Sequence, residues 1–289
     1  MKKVAVVDIG SNTVKLVIYR VKNKKIEKVY SESVYLRLLN YLEDGDLKEE
    51  GILKLELAIK DFKEKVSEFS PDCTIAFATH VLRVAKNKGY VLERISKYFD
   101  VEILSGEEEA FFSALGALLD VKVKKGLLFD IGGGSLEICE VIDSKPKFCK
   151  SYPLGTLSFR EFVRNGYVEN EIGIRWKVRD LVNPYDFETY ESEILIGVGG
   201  SVRPLRKIAG KRKIKRKQLK SIVEKLKTMK HIEVAESFGI PVERARTVLV
   251  AAIVVEELMD IFKVRELVIS KTGVREGIVF KRVIEDGEC

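Results

Sequence analysis

Two stretches of this chain place a carboxylate at the end of an apolar run, then a glycine-bearing turn, then a hydroxyl. The first, residues 6–21, holds Asp8, Gly10, Asn12, Thr13 and Lys15. The second, residues 126–141, holds Asp130, Gly132, Gly133, Gly134, Ser135 and Glu137. They align at an offset of 122 residues, with Asp8 on Asp130, Gly10 on Gly132, Thr13 on Ser135 and Lys15 on Glu137. A tight turn between two strands can present successive backbone N–H groups to an anion. Its glycines leave no Cβ in a ligand's way and permit positive φ, which Gly132, Gly133 and Gly134 are expected to use. Carboxylates beside a phosphate cradle make sense when a hard cation such as Mg²⁺ lies between them. Asp130 and Glu137 are therefore candidate metal ligands, with Asp8 the matching acid of the first turn. An ordinary hairpin needs one or two glycines, but no matched acid before each turn and no hydroxyl after it.

A repeat of this period points to two homologous domains facing one another rather than to a stacked solenoid. We place them at residues 1–120 and 121–289, with the last helix packing back on the first. Strands are expected over 4–7, 14–21 and 26–30, with a turn at 22–25. A helix follows over 47–69, where the apolar residues share a face, and a buried strand over 73–79. Short helices are expected near 81–86 and 89–98, and a strand over 101–104. Ser105 and Glu108 have capping-box spacing. Acids in the first turn of the next helix offset its macrodipole and need no other role, and the sharper reading makes Glu109 a base. The second half repeats the plan. A strand covers 148–153, helices 157–165 and 169–182, and a strand 193–198 runs into Gly199, Gly200 and a helix opening at Ser201. That is a further candidate phosphate site at a helix N-terminus, although many α/β turns share the pattern. A long helix over 241–262, a strand over 266–270 and a last helix after Gly273 complete the chain.

The chain has 289 residues, room for two domains with their own cores. Fifty-one basic and 44 acidic residues give a net charge of +7, compatible with polyanionic substrates. The segment 211–217 is six-sevenths basic; a solvated loop and helix start accounts for such a run, and a landing strip for a long polyanion is the alternative. No recognition motif or aromatic platform accompanies it, so no specific nucleic acid is expected. Two histidines make a histidine-rich metal site or a Ser-His-Asp triad improbable. The four cysteines show no CxxC spacing; Cys73 and Cys139 lie in apolar strand-like runs and are expected to be reduced core residues. No signal-peptide pattern and no apolar stretch of membrane-spanning length is present, so a cytoplasmic protein that does not enter the membrane is expected.

The paired Asp-Ile-Gly-Ser-Asn-Thr and Asp-Ile-Gly-Gly-Gly-Ser turns resemble the two phosphate loops of the actin, heat-shock chaperone and sugar kinase superfamily. Within it the chain resembles the exopolyphosphatase and guanosine pentaphosphate phosphohydrolase family. The likeness continues in the family's order through residues 79–83, 103–110, 154–156, 197–201 and 273–277 and covers nearly the whole sequence. It implies an α/β fold of two duplicated ribonuclease-H-like domains, each a mixed sheet flanked by helices, with an interdomain cleft. It also implies release of the terminal phosphate of inorganic polyphosphate or guanosine pentaphosphate, assisted by Mg²⁺ or another divalent cation.

The family's catalytic glutamate immediately precedes the alanine of its motif, which here is Glu109. The resemblance implies phosphate contacts from Asn12, Thr13, Arg83, Gly132, Gly133, Gly134, Ser135, Thr156, Gly200 and Ser201, and metal ligation by Asp130, Glu137 and Asp8. Arg83 follows a strand and can pair with phosphate oxygens bidentately; a surface salt bridge is the plainer reading. Two other activities use the same superfold, an ATP-dependent kinase and a non-catalytic nucleotide or polyphosphate sensor. Retention of Glu109, Asp130 and Glu137 argues against the sensor. Two positions depart from the family pattern. Leu136 replaces a threonine on the strand face away from Glu137, and Lys271 stands where an aspartate is frequent and reverses that charge. Longer members carry a further C-terminal helical domain for long-chain binding and dimerisation. The short form implies limited processivity on long polyphosphate and leaves a homodimer open.

Overall fold

The computed structural model describes residues 1–164, 166–189 and 192–289. The chain divides into two compact units. Unit 1 comprises 1–109 and 275–289, and unit 2 comprises 110–274.

Unit 1 is built on a five-stranded sheet. Its strands are β1 (Lys2–Ile9), β2 (Val14–Lys22), β3 (Lys25–Val34), β6 (Cys73–Ala78) and β7 (Val101–Ile103), in the order β3-β2-β1-β6-β7. The short hairpin β4 (Leu42–Glu43) and β5 (Asp46–Leu47) lies between β3 and the helix α1 (Glu49–Phe69). β1 to β3 are antiparallel, while β6 and β7 run parallel to β1. β1 is buried on both faces from Val4 to Ile9, which explains its unbroken apolar run. α1 lays Ile52, Leu55, Ile59, Phe62 and Val66 against Val7, Ile9, Leu16 and Ile18 in one core. The short helices α2 (His80–Val84) and α3 (Lys88–Ser96) follow β6. α4 (Gly106–Asp120) opens in unit 1, and the end of α10 (Val274–Ile278) with the π-helical turn Val279–Glu285 returns the chain to it.

Unit 2 repeats the plan with one strand added. β8 (Gly126–Ile131), β9 (Leu136–Ile142), β10 (Lys145–Tyr152), β13 (Ile194–Val198), β15 (Glu266–Ile269) and β14 (Lys213–Lys215) form a sheet ordered β10-β9-β8-β13-β15-β14. β8 to β10 are antiparallel and β8, β13 and β15 parallel, as in unit 1; β14 adds an antiparallel edge. Two-residue turns at Asn23-Lys24 and Asp143-Ser144 join β2 to β3 and β9 to β10, all four with positive φ. A small hairpin pairs β11 (Val163–Arg164) with β12 (Tyr167–Val168), and the helices are α5 (Glu171–Leu181), α6 (Pro204–Ile208), α7 (Arg216–Lys227), α8 (His231–Phe238) and α9 (Val242–Ile261). α9 is apolar nearly all round and buried among the others, the pattern of a central helix.

Three expectations need correction. The helix expected over 157–165 is a 3₁₀ segment, Thr156–Phe162, followed by β11, and Asn165 lies outside the described residues. Its first two backbone N–H groups serve the neighbouring glycine turn, as described below. The helix expected to open at Ser201 begins at Pro204 and has five residues. The cysteines are paired, not reduced. Cys73 bonds Cys289 in unit 1, with Cα atoms 5.8 Å apart, and Cys139 bonds Cys149 between register partners of β9 and β10. No CxxC spacing announced them because one pair spans 216 residues and the other is set by strand register. Among the described residues no helix is long and apolar enough to cross a membrane.

Candidate phosphate turns and their carboxylates

The two glycine turns share one geometry. The Gly10 N–H donates to the Thr13 carbonyl at 3.1 Å, and the Gly132 N–H donates to the Ser135 carbonyl at 2.9 Å, the same bond at the 122-residue offset. Gly132, Gly133 and Gly134 do not take the positive φ expected of them, and neither does Gly10. In the second turn the lack of Cβ is what matters. A Cβ on Gly155 would overlap the backbone of Gly133 and Gly134. The Thr156 N–H donates to the Gly132 carbonyl at 3.0 Å and the Leu157 N–H to the Gly133 carbonyl at 2.8 Å, bracing the turn from behind. The Thr156 hydroxyl also donates to Gly132, at 3.3 Å, so this residue acts as a strut in the structure.

The first turn is braced differently. The Arg37 N–H donates to the Asn12 carbonyl at 3.0 Å, and the Leu39 N–H to the Ser11 carbonyl at 3.4 Å. Arg37 holds a left-handed backbone, φ 52°. Arg37 caps the start of the 3₁₀ segment Leu38–Tyr41, so its left-handed backbone falls beside the candidate turn. Ser11 and Asn12 are buried. The Ser11 and Thr13 hydroxyls and the Arg275 Nε are buried polar atoms without a hydrogen-bond partner among the described residues. Unpaired donors of this kind fit an anion.

Arg275 belongs to the same group. Its Nη1 donates to Asp8 Oδ2, and the neighbouring Glu276 accepts from the Tyr19 hydroxyl at 2.6 Å. Burial works against the Arg275 charge, but Asp8, Tyr19 and Glu276 together outweigh it and hold the guanidinium pKa above its ordinary value. Burial and then Glu276 push the Tyr19 phenol well up. The sequence motif 273–277 contained Arg275 and Glu276 without showing which acid each would meet.

Strand register puts the carboxylates in rows. Asp130 faces Glu137 across β8 and β9, and Glu137 faces Ser151 across β9 and β10. In unit 1 the same row reads Asp8, Lys15 and Ser33. The unit 1 row opposes an acid to a base. The unit 2 row opposes two acids, which is unfavourable for bare carboxylates on neighbouring strands. Glu137 is 1% exposed and accepts from the Ser151 hydroxyl at 2.8 Å; Asp130 accepts from the Ser113 hydroxyl. Two carboxylates in this placement fit Mg²⁺, which takes one or two from the protein and the rest from water and phosphate. Among the described residues no group of three or more His, Cys, Asp or Glu is placed to hold a metal ion, so a closed all-protein cage is not what the residues build.

Glu109 lies in the first turn of α4 behind a complete capping box. The Ser105 N–H donates to Glu108 at 2.8 Å, and the Glu108 N–H to the Ser105 hydroxyl at 3.1 Å. The cap is thus served by Glu108, and Glu109 is not needed for it. Arg83, from α2, places Nη1 3.1 Å from Glu109 Oε2 and 2.8 Å from the Leu104 carbonyl. Both elements leave the carboxyl ends of strands that run parallel to β1, the edge where α/β sheets bind ligands. In unit 2 the corresponding edge holds Asp130 at the end of β8 and Gly199 beyond β13, where a Cβ on Gly199 would overlap the Asp130 carboxylate. Gly200 lies under the Arg244 guanidinium, and the buried Ser201 hydroxyl accepts from Thr247 at 3.2 Å. These two residues are therefore packed by α9 and do not begin a helix.

The Ppx/GppA phosphatase family profile matches residues 17–285. Exopolyphosphatase 1 of Mycobacterium tuberculosis is 25% identical over 311 aligned positions, covering 99% of this chain and 90% of the relative. The guanosine-5'-triphosphate,3'-diphosphate pyrophosphatase of Pseudoalteromonas atlantica is 32% identical over 161 positions, 54% of this chain and 32% of the relative. The crystal structure of an exopolyphosphatase from Cytophaga hutchinsonii superimposes with a TM-score of 0.87 at 21% identity, covering 99% of this chain and 98% of the other. The Aquifex aeolicus member of the Ppx/GppA family gives 0.81 at 23%, with the same coverage. At these identities the superpositions establish the shared fold, and the family match carries the assignment. On the profile match across nearly its whole length, this chain belongs to the Ppx/GppA phosphatase family.

Proposed function

We propose that this chain is an exopolyphosphatase that hydrolyses the terminal phosphoanhydride of inorganic polyphosphate. The observation that carries the reading is the pair of matched turns, of which the first holds buried hydroxyl and guanidinium donors without partners. Relatives named exopolyphosphatase align over the whole chain, whereas the guanosine-pentaphosphate enzyme aligns over about half, which favours polyphosphate over guanosine pentaphosphate.

Phosphoryl transfer needs placement, charge neutralisation and an oriented nucleophile more than covalent help. The Asn12, Thr13 and Gly132–Ser135 turns hold non-bridging phosphate oxygens through N–H and hydroxyl donors, with Gly200 and Ser201 beyond β13 and Arg37 beside the first turn as further contacts. Asp130 and Glu137, with Asp8 the equivalent acid of unit 1, are the residues that would hold a divalent cation. Such an ion, when bound, would offset the charge of the phosphates. Glu109 takes a proton from water as the water oxygen bonds to the terminal phosphorus. The bond from that phosphorus to the bridging oxygen breaks, and the electron pair stays with the shortened chain. Arg83 orients the carboxylate through Nη1; its other nitrogens remain for phosphate. Products are orthophosphate and a chain one phosphate shorter.

The test is orthophosphate release with Mg²⁺ and with EDTA from tripolyphosphate, long-chain polyphosphate, guanosine pentaphosphate and ATP, with Glu109→Gln beside the unaltered protein. Loss of the base should lower turnover by about 100-fold or more while polyphosphate binding persists. Equal loss of binding and turnover would reduce Glu109 to a structural acid. No release from any substrate by the unaltered protein would refute the hydrolase.

A further inference from the structure

We propose that residues 203–230 form a second polyanion site on unit 2, an exosite that holds the body of a long polyphosphate chain away from the residues proposed to bind its end. The proposal takes its occupant from the exopolyphosphatase reading. It rests on a charge imbalance that the reaction does not use. This segment has thirteen Lys and Arg against one acid, Glu224. The whole chain has 51 against 44, so the remainder has 38 basic and 43 acidic residues and is net negative. The basic character of the molecule is local.

The fold turns this segment into a track. Beyond Gly200, Arg203 places Nε 3.4 Å from the Ser270 carbonyl, and Arg212 places Nε 3.0 Å from the Ile269 carbonyl. The two side chains thus reach neighbouring residues at the end of β15. Asp120 gathers Arg212 at 2.5 Å and the Lys271 N–H at 2.8 Å, which sets the exposed Lys271 beside them. The chain then forms the edge strand β14, with Lys213 and Lys215 exposed on either side of buried Ile214. α7 follows at once. It buries Leu219, Ile222, Val223 and Leu226 and exposes Arg216, Lys217, Lys220 and Lys225. From Lys211 to Lys215 the strand rise gives about 13 Å of basic edge, and the first helical turn adds about 5 Å.

Arg203, Arg212, Lys213 and Arg216 are paired with protein groups, but five cations of the segment are not spent in this way. Arg206, Lys211, Lys215, Lys217 and Lys220 are exposed, and their side chains make no ion pair or hydrogen bond among the described residues. The arginines of α5, by contrast, are paired closely: Arg175 meets Glu171, Glu256 and Glu257, and Arg179 meets Glu257. Protection of a sheet edge by lysine would explain Lys213 and Lys215 but not Arg206, Lys211, Lys217 or Lys220. The first turn of α7 has no acid and no capping side chain, so its cations oppose the helix dipole, a cost that a polyanion along the track would offset. No Phe, Tyr or Trp lies between 203 and 230. Single-stranded nucleic acid is held largely by stacking on aromatic rings. A track of charge without rings suits a polymer of phosphates without bases.

The experiment replaces Lys211, Lys215, Lys217 and Lys220 by Gln together in the full chain. Their exposure makes misfolding avoidable, and thermal unfolding checks it. KM for long-chain polyphosphate should rise about tenfold, with kcat and the kinetics on tripolyphosphate unchanged. In the Glu109→Gln background, the slope of log binding constant for long-chain polyphosphate against log salt should flatten by about 3, four charges at roughly 0.7 each. Equal effects on long and short substrate, or none on either, would overturn the exosite. Loss of single-stranded RNA binding with polyphosphate binding intact would also overturn it and identify a nucleic-acid surface. If the unaltered protein hydrolyses no polyphosphate, the exopolyphosphatase reading fails separately. The binding arm needs no turnover and still decides the site: weaker polyphosphate binding by the quadruple variant upholds it, and unchanged binding refutes it.

Discussion

Removing the guanidinium of Arg275 while keeping its aliphatic bulk, as in Arg275→Met, tests how the first phosphate turn is held. The side chains of Arg275 and Asp8 are 15% and 11% exposed. Truncating one partner of a buried pair costs about 3–5 kcal/mol because the other is left charged and desolvated. Lys15 faces Asp8 across β1 and β2 and takes up part of that charge, so the lower end, about 3 kcal/mol, is expected. For a domain of this size that is a fall of roughly 10 °C in the unfolding midpoint. The single tryptophan, Trp176, lies in unit 2, so its fluorescence would miss the event. Hydrogen exchange of the β1 and β6 amides reports unit 1 directly. Asp8→Asn should cost a similar amount, and the double variant should cost less than the sum by about 2 kcal/mol. Additive costs, within about 0.5 kcal/mol, would refute the reasoning, as would loss of protection in β8 in place of β1.

Gly155→Ala forces a Cβ into the Gly133 and Gly134 backbone. It should raise KM for polyphosphate several-fold and lower the unfolding midpoint; unchanged kinetics would show that Gly155 does not set the turn. Burial, with Arg83 second, holds the His80 imidazole at about 4, against about 6.5 in an unfolded chain. Between those values the unfolded chain binds more protons. The stability from neutral His80 is therefore full above pH 6.5 and is lost as pH falls toward 4. Discounted for partial exposure, the loss is on the order of 2 kcal/mol. His80→Gln should flatten the fall in unfolding free energy between pH 7 and pH 4.5, and parallel curves for the two proteins would exclude the assignment.

The paired turns were legible because their chemistry is local. Asp8, Gly10 and Thr13 repeat as Asp130, Gly132 and Ser135, and each turn closes with the bond its spacing allows. The duplicated sheet order followed from the same repeat. The capping box at Ser105 and Glu108 was legible for the same reason. What the sequence hid was long-range or geometric. Nothing in a glycine triplet says whether the residues are needed for φ or for the close approach of Gly155. Arg37 carries no motif, and only its backbone conformation singles it out. The Cys139–Cys149 bond depends on register, and the pairing of Arg275 with Asp8 depends on a return of the chain from 267 residues away. The helix expected after Ser201 failed because Pro204 fits the first helical position and sets the start there.

That return has a consequence for the order in which the molecule can be made. Unit 2 is one continuous run of chain and can close as soon as its residues have left the ribosome. Unit 1 is interrupted by it. Its first 109 residues emerge early, with Asp8 already on a nearly finished sheet, but Arg275 comes only after all of unit 2 has been translated. A nascent chain cut short before that point has Lys15 facing Asp8 but lacks the guanidinium that completes the pair. The Arg275 contact to that turn's acid therefore forms only after unit 2 has been translated, and the Cys73–Cys289 bond of the same unit later still.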